Sequence, residues 1–172
     1  MKFTKLLKTR KSVRTYTGKA ADKKQLKKII EAAELAPVAR GSYENYQLTV
    51  VTDPKILKEI DQEAAMMAGD LESHPLYGVP TVILVSAKNR KESAYASAGI
   101  IAHNMVMAAE NKGLGACYLF GAAAALDAHP ETLMKLNLPD GFIPVCGVGV
   151  GESKEELAVR DLKMDRIGIN EI

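Results

Sequence analysis

Three side chains near the start of the chain have the types and spacing to hold an anion. Arg10, Ser12 and Arg14 alternate within Thr9–Tyr16, a stretch that sets Arg10, Lys11 and Arg14 among Thr9, Ser12, Thr15 and Tyr16. Alternate residues of an extended segment point the same way. Two guanidiniums flanking a hydroxyl suit a doubly charged phosphate, because each guanidinium forms a forked pair of charge-assisted hydrogen bonds. A basic run of this kind is also the ordinary solvated face of a helix. Both readings stand on this stretch alone.

Other chemistries find little support. Gly147-Val148-Gly149-Val150-Gly151 places its third glycine wrongly for a dinucleotide fingerprint, and too few residues follow for the acidic ribose ligand. Close packing is the better reading of those glycines. His74, His103 and His129 are far apart and lack metal-ligand spacing, so no metal site is expected. His103, on an apolar helix, reads as a satisfied core histidine. Cys117 and Cys146 each lie in an apolar run and read as buried thiols of a reducing compartment. No Gly-x-Ser-x-Gly elbow occurs. The sequence thus presents no catalytic acid, base or nucleophile of its own. A phosphate clamp without such a group fits a protein that takes its chemistry from an organic cofactor.

The elements that must carry these residues can be read in outline. The 172 residues, 47% hydrophobic and 26% charged, predict one domain over 1–172 with a real core. A net charge of +2 and the absence of Trp argue against nucleic acid. Charge enters at Lys2 and Lys5, too early for a signal peptide, so a cytoplasmic protein is expected. Phe3 to Leu7 forms a turn or two of helix. Asp22 caps a helix from Lys23 to about Ala36, and Pro37 to Tyr46 is a loop. A strand over Gln47–Thr52 precedes a helix from about Lys55 to Met67, and Pro80–Ala87 reads as a central strand buried on both faces. The helix Ser93–Lys112 is apolar nearly all round, interrupted by Tyr95, Ser97, His103 and Asn104. It is expected to be buried, and too short and interrupted to span a membrane. Its small residues Ala96, Ala98, Gly99 and Ala102 permit close helix packing, across a subunit interface included. Gly113 ends it in left-handed geometry. Strands over Gly115–Phe120 and Phe142–Val150 bracket an alanine run and a short helix near Pro130. The alternation in Ile167–Ile172 suits an edge strand added to a partner's sheet.

At this point a family resemblance is carried by an ordered set of motifs. Arg10-x-Ser12-Val13-Arg14-x-Tyr16 resembles the flavin-phosphate motif of the nitroreductase family. Ala36-Pro37-Val38-Ala39 resembles that family's Ala-Pro-Ser-Ala loop, and Gly113-Leu114-Gly115 its Gly-Leu-Gly. Leu138-Pro139-Asp140-Gly141, Pro144-Val145 and Gly149-Val150-Gly151 resemble its Leu-Pro-x-Gly run into the last strand. The order and spacing cover nearly the whole chain.

The resemblance implies an α+β fold with a central mixed β-sheet flanked by helices. It also implies an intertwined homodimer, its C-terminal strand exchanged, with flavin mononucleotide (FMN) at the interface. Arg10, Ser12 and Arg14 would hold the phosphate and ribityl chain. Pro37, Val38 and Ala39 of the opposite subunit would line the ring, Leu119, Phe120 and Gly121 would lie along its edge, and Lys163 or Arg166 would complete the phosphate site. The implied activity is an oxidoreductase passing a hydride from NADH or NADPH through flavin to a nitroaromatic or quinone. A flavin carrier or sensor without turnover, and a flavin-free dimer of the same architecture, are the alternatives. Two departures bear on the substrate. Val38 stands where the family often has Ser, and Gly41–Tyr46 replaces the family's Asn-x-Gln-Pro-Trp. These positions shape the space over the ring, and an open, permissive pocket is expected.

Overall fold

Every residue of the strand Thr81–Ala87 is buried, and the rest of the molecule is layered on it. The computed structural model describes residues 2–172. In chain order the elements are α1 (Phe3–Thr9), α2 (Lys23–Glu34), β1 (Tyr46–Val51), α3 (Pro54–Ala68), β2 (Thr81–Ala87), α4 (Glu92–Asn111), β3 (Gly115–Leu119), α5 (Phe120–Ala128), α6 (Pro130–Lys135) and β4 (Ile143–Gly151). The sheet order is β1-β2-β4-β3, with all three pairings antiparallel. The expected mixed character is confined to one edge, where Ser12 forms a parallel bridge to Ala116 of β3.

Two apolar clusters cover the two faces of the sheet. One joins α2 and α4 through Ile29, Ala33, Ile101 and Met105 to Ile83, Val85 and Val148. The other joins α3 and α5 through Ile60 and Leu126 to Val82, Leu84 and Leu119. Each fully buried Val, Leu or Ile contributes about 1.5–3 kcal/mol, against about 0–1 kcal/mol for an exposed ion pair. The core therefore decides the fold, and the ion pairs trim its surface.

Local chemistry accounts for the helix ends. Asp22 caps α2 in a reciprocal capping box with Gln25. Asp53 accepts from the Lys55 N–H, with Pro54 in the first turn of α3. Gly113 ends α4 at φ 73°, the left-handed geometry expected of it. The last-strand glycines do serve close packing. A Cβ at Gly151 would lie 2.6 Å from Pro80, and one at Gly149 would lie 3.2 Å from Leu119 and Val79.

Two segments differ from the sequence reading. The alanine run Ala122–Ala125 belongs to a helix, α5, which starts directly at the end of β3. Alanine favours the helix once the buried strand has run out of partners. Residues 167–172 form no strand within this chain, and Ile167, Ile169 and Ile172 are exposed.

Candidate functional site

The strap formed by residues 10–19 lies between β3 and the tail. Val13 and Tyr16 are its buried anchors, and the Val13 N–H donates to the Ala116 carbonyl at 3.0 Å. Gly115 makes this approach possible, because a Cβ there would fall 2.8 Å from Val13 Cγ1. On the other side, the Thr17 N–H donates to the Glu152 carbonyl and the Lys154 N–H to the Thr15 carbonyl, both at 3.0 Å. The segment is thus extended, as the alternation of Arg10, Ser12 and Arg14 requires.

Arg10 and Ser12 line one cavity of about 170 Å³ with Gly99, His103 and Val106 of α4 and Ala116 and Tyr118 of β3. Arg14 does not line it. Its guanidinium stacks over Tyr77, 5.6 Å from the ring centroid. Tyr77 hydrogen-bonds the guanidinium and raises its pKa further above the usual arginine value. Tyr77 itself sits at φ 56°, an unfavourable backbone for a bulky residue. The Asp61 carboxylate holds the loop by accepting from the Leu76 N–H at 2.8 Å and pairing with His74 at 2.9 Å.

Behind Arg10 lies Glu110, 2% exposed, with Oε1 lacking a hydrogen-bond partner. Burial raises its pKa, and the charges of Arg10, Arg160 and Lys11 oppose the rise. Arg160 is the tail cation that meets the strap: its Nη2 donates to the Arg10 carbonyl and its Nε to the Lys8 carbonyl, the latter at 3.2 Å. Lys163 and Arg166 are exposed and make no such contact among the described residues.

Pro37, Val38 and Ala39 do not reach this cavity within the chain. The Ala39 N–H donates to Ser97 Oγ at 3.0 Å, which pins their loop to α4, and Val38 packs against the core. Leu119 is buried, whereas Phe120 and Gly121 are exposed where β3 passes into α5. Phe120 lines a second hollow of about 130 Å³ with Tyr95, Arg90 and Asp127, the last two forming an ion pair. Larger clefts of about 510 and 540 Å³ lie at α2–β1 and at the start of α3, but neither gathers a comparable set of donors.

His103 departs from the sequence reading. It is exposed and lines the cavity, not the core. Tyr95, Gly99 and His103, each four residues apart, form one stripe of α4 on its uncovered side. Both cysteines are the buried thiols expected, and burial pushes Cys146 up to about 11. Among the described residues no cluster of His, Cys, Asp or Glu could hold a metal ion, and no helix is long and apolar enough to cross a membrane.

The sequence model of the nitroreductase family matches residues 7–152. The chain belongs to the nitroreductase family. The fold says the same: a nitroreductase with bound FMN from Bacteroides fragilis superposes with a TM-score of 0.84 at 25% identity, over 99% of this chain and 100% of that one. An NADPH-dependent oxidoreductase of Staphylococcus epidermidis is 32% identical, over 88% of this chain and 64% of its own length. A putative NADH dehydrogenase/NAD(P)H nitroreductase of Archaeoglobus fulgidus is 27% identical, over 88% of this chain and 86% of its own length. This nitroreductase-family chain spans a little under two thirds of the length of the first of these curated relatives.

Proposed function

We propose that the chain is an FMN-dependent oxidoreductase that uses a reduced nicotinamide to reduce a small acceptor of the nitroaromatic or quinone type. The observation that carries this reading is the joint placement of Arg10 and Ser12 in one cavity beside the exposed end of β3, in a nitroreductase fold. The related B. fragilis nitroreductase carries bound FMN, the S. epidermidis relative is named an NADPH-dependent oxidoreductase, and the A. fulgidus relative a putative NADH dehydrogenase/NAD(P)H nitroreductase.

The residues fit such a ligand. Arg10 and Ser12 supply charge-assisted and neutral donors for a phosphate. Gly99 leaves open space in the wall, with nothing within 4 Å of the place a Cβ would take. Tyr118 and Phe120, both exposed, offer apolar surface along the path away from Arg10. The cavity of one protomer, about 170 Å³, is smaller than the roughly 300–1,000 Å³ usual for a ligand of this size. That shortfall supports a site completed by a second copy, in which the Pro37–Ala39 loop of the partner covers the ring.

Bound FMN would supply the hydride acceptor and donor, alternately for the nicotinamide and for the acceptor molecule. The chain's own work is to bind and orient. Arg10 and Ser12 fix the phosphate, with Arg160 holding the Arg10 backbone in place, and Lys163 or Arg166 remains available to a phosphate at the rim. Arg14, stacked on Tyr77, is held for the ribityl chain or ring, apart from Arg10. Leu119, Phe120 and Gly121 set the edge along which the second substrate enters.

The test is the visible spectrum of the purified, dialysed protein, with identification of what denaturation releases and a steady-state assay of NADPH or NADH oxidation with a quinone. Release of FMN and turnover are expected. Arg10→Ala is expected to weaken FMN binding by about 10- to 150-fold, the range for loss of one charged hydrogen bond. A protein that neither carries nor takes up flavin would sink the reading, and a yellow protein without turnover would reduce it to a flavin carrier.

A further inference from the structure

We infer that His103 is a third donor to the ligand's phosphate, beside Arg10 and Ser12; the inference rests on the flavin reading above. His103 lies on α4 and lines the same cavity as those two residues. It is exposed, and it makes no hydrogen bond or ion pair with any described residue. An imidazole that is left unpartnered beside a guanidinium and a hydroxyl presents an N–H to whatever anion the guanidinium attracts.

Position along α4 decides which part of the ligand it meets. The Arg10 end of the cavity is marked by Val106 and, behind it, by Glu110, whose carboxyl feels the charge of Arg10. The opposite end is marked by Gly99 and by Tyr118, two residues before the exposed Phe120. His103 stands three residues from Val106, roughly 4.5 Å along the axis at 1.5 Å per residue. Gly99 is four residues away on the other side, roughly 6 Å, so His103 lies between the two ends and nearer the Arg10 end, within reach of the same anion. Facing it from the strap are Arg10 and Ser12, and from β3 Ala116 and Tyr118. The nearby carboxylate, Glu110, is buried and subject to the charges of Arg10, Arg160 and Lys11. His103 thus has no competing acid at the cavity wall, and a phosphate monoester is the ligand chemistry that satisfies all three donors together.

Riboflavin and FMN differ only by the phosphate, so the ratio of their dissociation constants isolates this contact. Both are titrated into flavin-stripped wild-type protein and into His103→Ala and His103→Gln, with dimer content checked by sedimentation. Wild type is expected to prefer FMN. His103→Ala is expected to lower that preference about tenfold through FMN alone, leaving riboflavin affinity unchanged, and His103→Gln, which keeps an amide donor, is expected to fall between. The phosphorus NMR resonance of bound FMN is expected to move in either variant, and serves through the glutamine variant should the alanine variant not fold. Parallel loss of both flavins would make His103 a ring or packing residue and overturn the inference. An unchanged ratio with an unmoved resonance would also overturn it, while leaving the flavin reading intact. If wild type binds neither flavin, both fall together.

Discussion

The Glu155 carboxylate accepts from the Arg14 N–H at 2.8 Å and from the Thr15 hydroxyl at 3.2 Å, and pairs with Lys11 at 2.9 Å. The backbone hydrogen bond from Arg14, then that from Lys11, draws its pKa from 4.5 down to about 2. Its contribution to stability is therefore complete above about pH 4.5 and is lost as pH falls toward 2. With the side chain 28% exposed, solvent screening leaves about 0.5–1 kcal/mol. Glu155→Gln is expected to lower stability by that amount at neutral pH, and to flatten the acid limb of a denaturation series between those pH values. An acid limb identical to wild type would show that Glu155 does not anchor the strap. At this scale the sequence was informative where chemistry is local. The shared direction of Arg10 and Ser12 could be read from their spacing, and the burial of both thiols from their apolar neighbours. His103 was misread because apolar flanks are shared by core and interface helices. The legible signal was its eight-residue distance from Tyr95, which puts both on one stripe of α4. Arg160 carried no signal, since a tail of alternating charges has no period from which to pick one cation.

Glycine spacing governs the elements around the site. β3 accepts the strap only because Gly115 has no side chain, with Val13 Cγ1 2.8 Å and Ser153 Cβ 3.0 Å from where one would begin. Gly115→Ala forces the strap or the tail outward. It is expected to cost about 1–3 kcal/mol, the usual range for overpacking. Thermal denaturation should register this as roughly 2–4 °C per kcal/mol in a domain of this size. An unchanged melting temperature would mean that the strap is free to shift. Most elements could be drawn from the sequence because period and caps agreed, as in α2, α3 and β2. The exception is α5: Phe120-Gly121-Ala122-Ala123 continues an apolar strand without a break. Only the tertiary fact that β3 ends against β4 at Leu119↔Gly147 tells the chain to turn. The four polar residues of α4 were visible too, but their tasks were not. Ser97 holds the Ala39 loop, Asn104 donates to the Ala32 carbonyl of α2 at 3.0 Å, and Tyr95 and His103 face the two hollows.

At the scale of the whole molecule, several large apolar side chains are left uncovered by this chain. Tyr95 and Ile100 on α4, Phe120, and Ile167, Ile169 and Ile172 in the tail are all uncovered. Where exposed apolar side chains are contiguous they mark interaction surfaces. Sedimentation is expected to show a homodimer, and removal of residues 167–172 is expected to weaken it and to speed flavin loss on dilution. A monomer that retains FMN tightly would contradict the shared site. The family resemblance implies such an assembly; composition and periodicity carry no signal of it, because one chain's apolar stripe looks the same whether its own core or another's covers it.

The strap's partners have a consequence in time. Residues 14–19 are fastened to Glu152, Lys154 and Glu155, and Arg160 reaches back to Lys8 and Arg10, so these bonds close loops of 133 to 152 residues. Contacts of such long sequence separation form late, after the loop entropy has been overcome. During synthesis, residues 10–19 leave the ribosome well before residues 152–160 and wait, unfastened, until those have followed. Fastening of the strap is therefore a late step of folding, and a chain halted before residue 152 carries residues 10–19 without the partners that hold them.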